Sequence, residues 1–200
     1  MKIHYSDLAS FVPILKNIGP KVFLHVGCGT APYSRLPGCF KTGAWKEVRL
    51  DIDPMTKPDI VASLTDMSMV PANSMDAVWS SHNLEHLEGY QVPIALAEMR
   101  RVLKPGGFAL ITLPNLEKIA QLIVTGRADD VLYTSPAGPI TPLDMLYGHQ
   151  KSVKNGNTHM AHRTGFTAKR LSGVLTEAGF NEVRVMQGLN YDLWSVATVG

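Results

Sequence analysis

Little in this chain marks a membrane, a polyanion or an oxidising compartment. Its 200 residues include only two cysteines. Cys28 and Cys39 do not have the spacing of a metal clip or a redox pair, so reduced thiols in a cytoplasmic protein are expected. No apolar run approaches the roughly 18 residues that cross a bilayer. Met1–Asp7 lacks the apolar core of a signal peptide. Nineteen basic residues against seventeen acidic ones leave a formal charge of +2. With no Lys/Arg block, that bias is too weak to argue for nucleic acid or an anionic membrane. Internal repeats, low-complexity tracts and dividing linkers are also missing, so residues 1–200 read as one domain.

What is present is a glycine turn. The apolar run Val22–Val26 ends in Gly27-Cys28-Gly29, and about twenty residues on, Asp51 closes a second apolar run, Val48-Arg49-Leu50. A strand that delivers a tight turn beneath a ligand, beside a strand ending in a carboxylate, suits a ligand with a ribose. Gly-x-x-x-x-Gly-Lys-Ser/Thr is absent, which excludes a P-loop. A third glycine is absent too, and Pro32 stands where a crossover helix should begin, which weakens a pyrophosphate ligand. Ribose and adenine without phosphate fit better. Asp51 is favoured over Asp53 for the ribose because it ends the apolar run.

Strand-like and helix-like segments alternate, which predicts an α/β domain with a mostly parallel sheet. A leading helix is read over Ser6–Ile18, interrupted by Pro13. Strands are expected at Val22–Val26, Lys46–Ile52, Asp59–Ala62, Met75–Ser80 and Phe108–Leu113. The first crossover, rich in Pro and Gly, should be short or irregular. An amphipathic helix is expected over Tyr90–Lys104, stopped by Pro105-Gly106-Gly107. Asn115 should cap a helix over Leu116–Thr125. A last helix over Thr167–Ala178 precedes two closing strands, Asn181–Gln187 and Tyr191–Thr198, close enough in sequence to pair antiparallel. Residues 127–165 form an irregular segment, read as an ordered lid over the acceptor.

At this point the chain resembles the class I S-adenosylmethionine-dependent methyltransferases, and specifically the small bacterial type-11-like members. The resemblance runs through six segments in order: Phe23–Thr30, Val48–Asp53, Leu64–Met67, Ser74–Leu87, Arg100–Gly107 and Thr164–Phe180. It implies a Rossmann-like, mostly parallel seven-stranded sheet with an antiparallel final strand and helices on both faces. It implies S-adenosylmethionine as cofactor, with contacts from His25, Gly27, Cys28 and Gly29 at the first turn. Asp51 and Ile52 would hold the ribose side. Asp66 and Met67 would meet the adenine, although Asp66 has a rival reading as a cap on the turn at Ser68. Ser81 and His82 would lie along the methionine part. The family usually carries an acid or small polar residue at the place of His25. A neutral imidazole there can accept a hydrogen bond from the donor's ammonium group, and an imidazolium cannot.

Methyl transfer needs alignment first, and a base only where the acceptor must lose a proton. His86, His149 and His162 are the candidate bases. His159-x-x-His162 has the spacing of half a zinc site, but no acidic or cysteine partner sits at ligand spacing along the chain, so no metal is expected. The acceptor is read as a small molecule or a glycan. A nucleic-acid acceptor is disfavoured, because Ser80-Ser81-His82-Asn83 stands where amino-group enzymes resemble Asn/Asp-Pro-Pro-Tyr. The alternatives are a donor-binding regulatory or assembly protein without methyl transfer, and an NAD-linked dehydrogenase. Tyr191-Asp192-Leu193-Trp194 is a candidate edge for a homodimer.

Overall fold

Apolar runs bounded by turn residues become strands, and their order fixes where a ligand can sit. The computed structural model describes residues 20–135 and 137–200; the leading helix expected over Ser6–Ile18 lies outside them. Strands β1 (Lys21–Val26), β2 (Trp45–Asp51), β3 (Ile60–Val61), β4 (Met75–Ser81) and β5 (Leu103–Pro114) run parallel. The short hairpin β6 (Tyr133–Ser135) and β7 (Gly138–Ile140) stands apart. Strands β8 (Val183–Gln187) and β9 (Asp192–Thr198) complete a seven-stranded sheet of order β3-β2-β1-β4-β5-β9-β8. In this sheet β9 alone runs opposite to the other six strands. The order reverses between β1 and β4, which opens a crevice at the carboxyl ends of those strands.

The sheet is buried on both faces, as parallel sheets must be. On one face Leu24, Val26, Val78 and Ile111 pack against helices α1 (Val92–Val102) and α5 (Ala168–Glu177), which contribute Leu96, Met99, Leu171 and Leu175. On the other, Phe23, Trp79 and Trp194 are covered by the short first crossover. Pro32 and Pro37 fix φ at the start of two 3₁₀ turns, Tyr33–Arg35 and Gly38–Phe40. The second turn drives Phe40 into the core, stacked on Phe23 at 4.3 Å between centroids. An aromatic plug thus stands where a longer crossover helix would pack.

Asp76, near the start of β4, accepts the Val22 N–H and the Lys104 ammonium, both at 2.9 Å. It ties the beginnings of β1 and β5 together. Asn115 caps α2 (Leu116–Val124) through the Lys118 N–H, as expected.

Residues 127–165 are more regular than their composition predicts. Besides the hairpin they hold α3 (Pro142–Tyr147) and α4 (Gln150–Lys154). Thr141 and Asp144 form a reciprocal capping box, and Met145 and Ile140 pack on Ile119 of α2. Thr-Pro-Leu-Asp is a helix start written inside a stretch otherwise dominated by turn formers.

The candidate dimer edge is corrected here. Tyr191–Trp194 opens β9, which lies between β5 and β8, and both Leu193 and Trp194 are buried. A strand hydrogen-bonded on both sides presents no edge to a second chain. Among the described residues no helix is long and apolar enough to cross a membrane.

Candidate active site

Gly27 and Gly29 both adopt left-handed φ, +58° and +52°. A Cβ at Gly27 would fall 1.8 Å from the Asn83 side chain, which itself donates to the Val26 carbonyl at 2.8 Å. The turn is gripped from β2 by groups of both signs. Asp51 Oδ2 accepts the Gly29 N–H at 2.7 Å and Oδ1 accepts the Asp53 N–H at 2.9 Å. Arg49 donates to the carbonyls of Gly29 at 2.7 Å and Ala31 at 3.0 Å. A turn that usually leans on a helix is held here by two side chains.

His25 lies on the same strand face as Phe23, with Nδ1 2.6 Å from Glu47 Oε1. A carboxylate only accepts, so Nδ1 carries the proton and Nε2 keeps a lone pair. Burial pulls its pKa below the usual histidine value, against the opposing pull of Glu47. Burial also raises the Cys28 thiol, which makes Cys28 an uncharged filler of the turn. His25, Gly27, Cys28, Trp79 and Ser81 line a cleft of about 570 Å³, together with Arg35 and Lys41.

A second cavity, of about 240 Å³, opens just past β4. Leu116, Ile119, Met145 and Phe166 wall it, and Glu85 and His162 supply polar groups. Glu85 belongs to the 3₁₀ turn Leu84–His86 that follows β4. Its carbonyl accepts the N–H groups of Arg163 and Thr164, at 2.8 and 3.2 Å, which brings His162 alongside. His162 Nδ1 is 2.8 Å from the Met145 carbonyl, and His86 Nδ1 is 3.1 Å from the Ala161 carbonyl. The two rings stand edge to face, 4.8 Å between centroids. Glu85 is 1% exposed. His82 Nδ1 lies 3.2 Å from its Oε1, yet neither Glu85 oxygen receives a well-aligned hydrogen bond. Burial opposes charge on Glu85, but the imidazoles of His82, His86 and His162 outweigh it and lower its pKa. Burial lowers the pKa of His162 and keeps it neutral. His82 loses solvent stabilisation too, but its pairing with Glu85 raises its pKa overall.

A protein-family model described as a methyltransferase domain matches residues 24–111. That match covers less than half of the chain, and solved S-adenosylmethionine-dependent methyltransferases share its fold. A Methanosarcina mazei structure described as a SAM-dependent methyltransferase superposes with a TM-score of 0.63 at 13% identity, covering 100% of this chain and 99% of the other. An Archaeoglobus fulgidus one gives 0.60 at 16%, covering 97% and 92%. The Haloferax volcanii protein solved in complex with the Trm112 methyltransferase activator gives 0.59 at 14%, covering 90% and 83%. At these identities the likeness shows the fold. A comparison with curated proteins finds no match.

In this chain His25, Gly27, Cys28 and Ser81 share one cleft, with Asp51 directly beneath its glycine turn. Ile52 follows, 52% exposed. Asp53, the rival carboxylate, is committed to capping the next turn through the Met55 N–H. Asp66 and Met67 are not brought to this cleft. Asp66 is exposed, accepts the Ser68 N–H, and lines a shallow depression with Glu98 and Arg101. Met67 is fully buried, its N–H taken by Glu98 and its carbonyl by Arg101. His86 and His162 meet, whereas His149 Nδ1 lies 2.7 Å from Ser152 Oγ. Sequence reasoning missed Arg49, Asn83 and Glu85. Arg49 stands two residues before Asp51 and on the same strand face, and that period-two placement was its one available signal.

Proposed function

We propose that this methyltransferase transfers the methyl group of S-adenosylmethionine to a small molecule or a glycan held in the cavity beside Leu116, Met145 and Phe166. The observation that carries this reading is the cavity itself, about 240 Å³ with apolar walls and a polar end at Glu85 and His162. Pockets for drug-sized ligands run to roughly 300–1,000 Å³, so this one suits a single ring or sugar residue. The donor belongs in the neighbouring cleft. Its ribose hydroxyls fit Asp51: a carboxylate offers about four acceptor sites, and the structure uses two. The Gly27–Gly29 backbone underlies the donor, Ile52 offers an apolar flank for the adenine, and Nε2 of His25 faces the ammonium group. Ser81 and His82 lie between donor and acceptor. Asp66, held by Ser68, would reach the adenine only if its turn swings inward.

The polar end formed by Glu85, His86 and His162 is where the acceptor loses its proton. Residues 127–165 act as the lid of a single unit spanning 1–200. His149 lies outside this proposal. We assign the enzyme to the cytoplasm on its cysteine usage, two cysteines that are both free thiols.

The test is transfer of labelled methyl from S-adenosylmethionine to a panel of hydroxylated small molecules and oligosaccharides, with tRNA and DNA in parallel. Label on a small molecule or an oligosaccharide is the expected result. Label confined to nucleic acid overturns the acceptor class.

A further inference from the structure

One cluster of side chains has more order than an acid–base pair requires. His86 and His162 are 76 residues apart in sequence, yet one ring nitrogen from each and one Glu85 oxygen all lie within 4.8 Å of one another. Both rings present their Nδ1 to a main-chain carbonyl, Ala161 for His86 and Met145 for His162. A carbonyl only accepts, so each Nδ1 carries the hydrogen and each Nε2 is left with its lone pair. Anchoring one ring nitrogen on a carbonyl is how proteins fix the tautomer and aim of a metal-binding histidine. Beside them stands a carboxylate that is 1% exposed, with His82 Nδ1 3.2 Å from one oxygen but no well-aligned hydrogen bond on either. Buried carboxylates are ordinarily paired, hydrogen-bonded or bound to a metal.

We propose that Glu85, His86 and His162 bind one divalent transition-metal ion, with Zn²⁺ the best match, at the polar end of the acceptor cavity. Two histidines and one carboxylate make a three-ligand set that leaves a position open, the arrangement of catalytic rather than structural zinc. Ligands about 2.1 Å from one ion stand about 3.4 Å apart in a tetrahedron, so the trio closes by about 1.4 Å at its widest on loading. Imidazole with carboxylate also suits Co²⁺, Ni²⁺ and Mn²⁺, with affinity rising through the usual divalent series.

The inference rests on the proposed acceptor site for its role, though not for its detection. With the ion present, the open position takes a hydroxyl oxygen of the acceptor, whose proton passes to solvent. That oxygen then forms a bond to the donor's methyl carbon. The carbon–sulfur bond breaks, and its electron pair stays on sulfur as neutral S-adenosylhomocysteine. Ser81 on the donor cleft and Glu85 in the cavity are four residues apart, which sets the two halves of this step side by side. Sequence spacing alone could not show the site: the fold supplies His162 by binding Arg163 and Thr164 to the Glu85 carbonyl.

The experiment uses the full chain, stripped with a chelator and titrated with Zn²⁺, Co²⁺ and Mn²⁺ separately. Calorimetry and elemental analysis after dialysis read the uptake. One Zn²⁺ per chain is expected, and a tetrahedral d–d absorption with Co²⁺. Uptake should weaken at least about tenfold in Glu85→Gln, His86→Gln and His162→Gln, and more in the His86→Gln/His162→Gln double variant. His159→Gln, an exposed neighbour, should bind as the wild type does. Circular dichroism and S-adenosylhomocysteine binding identify variants that remain folded. Failure of the wild type to take up any of the three ions overturns the inference, as does equal uptake by a folded double variant. If S-adenosylhomocysteine still binds a chain that takes no metal, the metal inference falls and the donor assignment stands. If metal binds and the sulfur ligand does not, the reverse holds.

Discussion

In the proposed site Asp51 serves the fold and the donor with the same two oxygens. In the free chain they receive the N–H groups of Gly29 and Asp53, which would orient the remaining lone pairs towards the proposed ribose. Asp51→Asn keeps the shape but puts an NH₂ where an acceptor is needed. Charge-assisted hydrogen bonds contribute about 1.5–3 kcal/mol each, so affinity for S-adenosylhomocysteine should fall about 10- to 100-fold by calorimetry. An unchanged dissociation constant would place the ribose elsewhere. His25 gives a pH dependence of fixed sign. Its folded pKa lies below the 6.5 of the free side chain because burial disfavours the imidazolium. The unfolded chain therefore takes up more protons, so the stabilisation from His25 is complete above 6.5 and is lost as pH falls through the folded value. Protonation also sets a cation beside the donor's ammonium group. Binding of S-adenosylhomocysteine should weaken as the pH falls below 6.5 in the wild type, and less in His25→Gln, whose side chain does not titrate. Parallel pH profiles for the two proteins would remove His25 from the donor site.

At the scale of elements, the joint between α3 and α4 decides where His162 points. Gly148 has φ +88°, and a Cβ there would fall 1.9 Å from the Met160 carbonyl oxygen, a backbone atom with no rotamer to escape through. Gly148 and Ala161 form a bridge, and the His162 N–H donates to the Tyr147 carbonyl at 3.0 Å. Gly148→Ala should cost about 1–3 kcal/mol in denaturant unfolding, in the range of strained backbone positions, while leaving S-adenosylhomocysteine affinity within about twofold. A large loss of donor affinity would show that the two halves of the site are not separable. Elements with a clear period were legible in the sequence: β1, β4, α1 and α5 fall within a residue or two of their expected bounds. What was not legible depends on contacts across the chain. Thr141–Asp144 hides a capped helix among turn formers, and Tyr191–Trp194 looks like an exposed apolar edge until β5 and β8 close on both sides of it.

For the whole molecule, the residues of the proposed donor cleft could be named from the sequence and the cluster at the proposed acceptor cavity could not, for one physical reason. Gly27, Gly29 and Asp51 lie at strand ends whose spacing along the chain reports their spacing in space. Glu85, His86 and His162 meet only after α2, the hairpin and α3 have folded back over β4. The same architecture discriminates between the two nucleotides that the glycine turn admits. A dinucleotide needs a helix N-terminus to meet its pyrophosphate, and here Pro32 leads instead into a three-residue 3₁₀ turn. The Gly29 and Ala31 carbonyls are turned towards Arg49. A sulfonium nucleoside makes no such demand. A ligand at about 100 times its dissociation constant stabilises the native state by about 2.7 kcal/mol, and a domain of this size gains about 2–4 °C per kcal/mol. S-adenosylmethionine and S-adenosylhomocysteine should each raise the melting temperature by about 5–10 °C at that excess, and NAD should leave it unchanged. Stabilisation by NAD with none from either sulfur ligand would mean that the turn carries phosphates, and that the arrangement of Arg49, Asp51 and His25 serves a different chemistry.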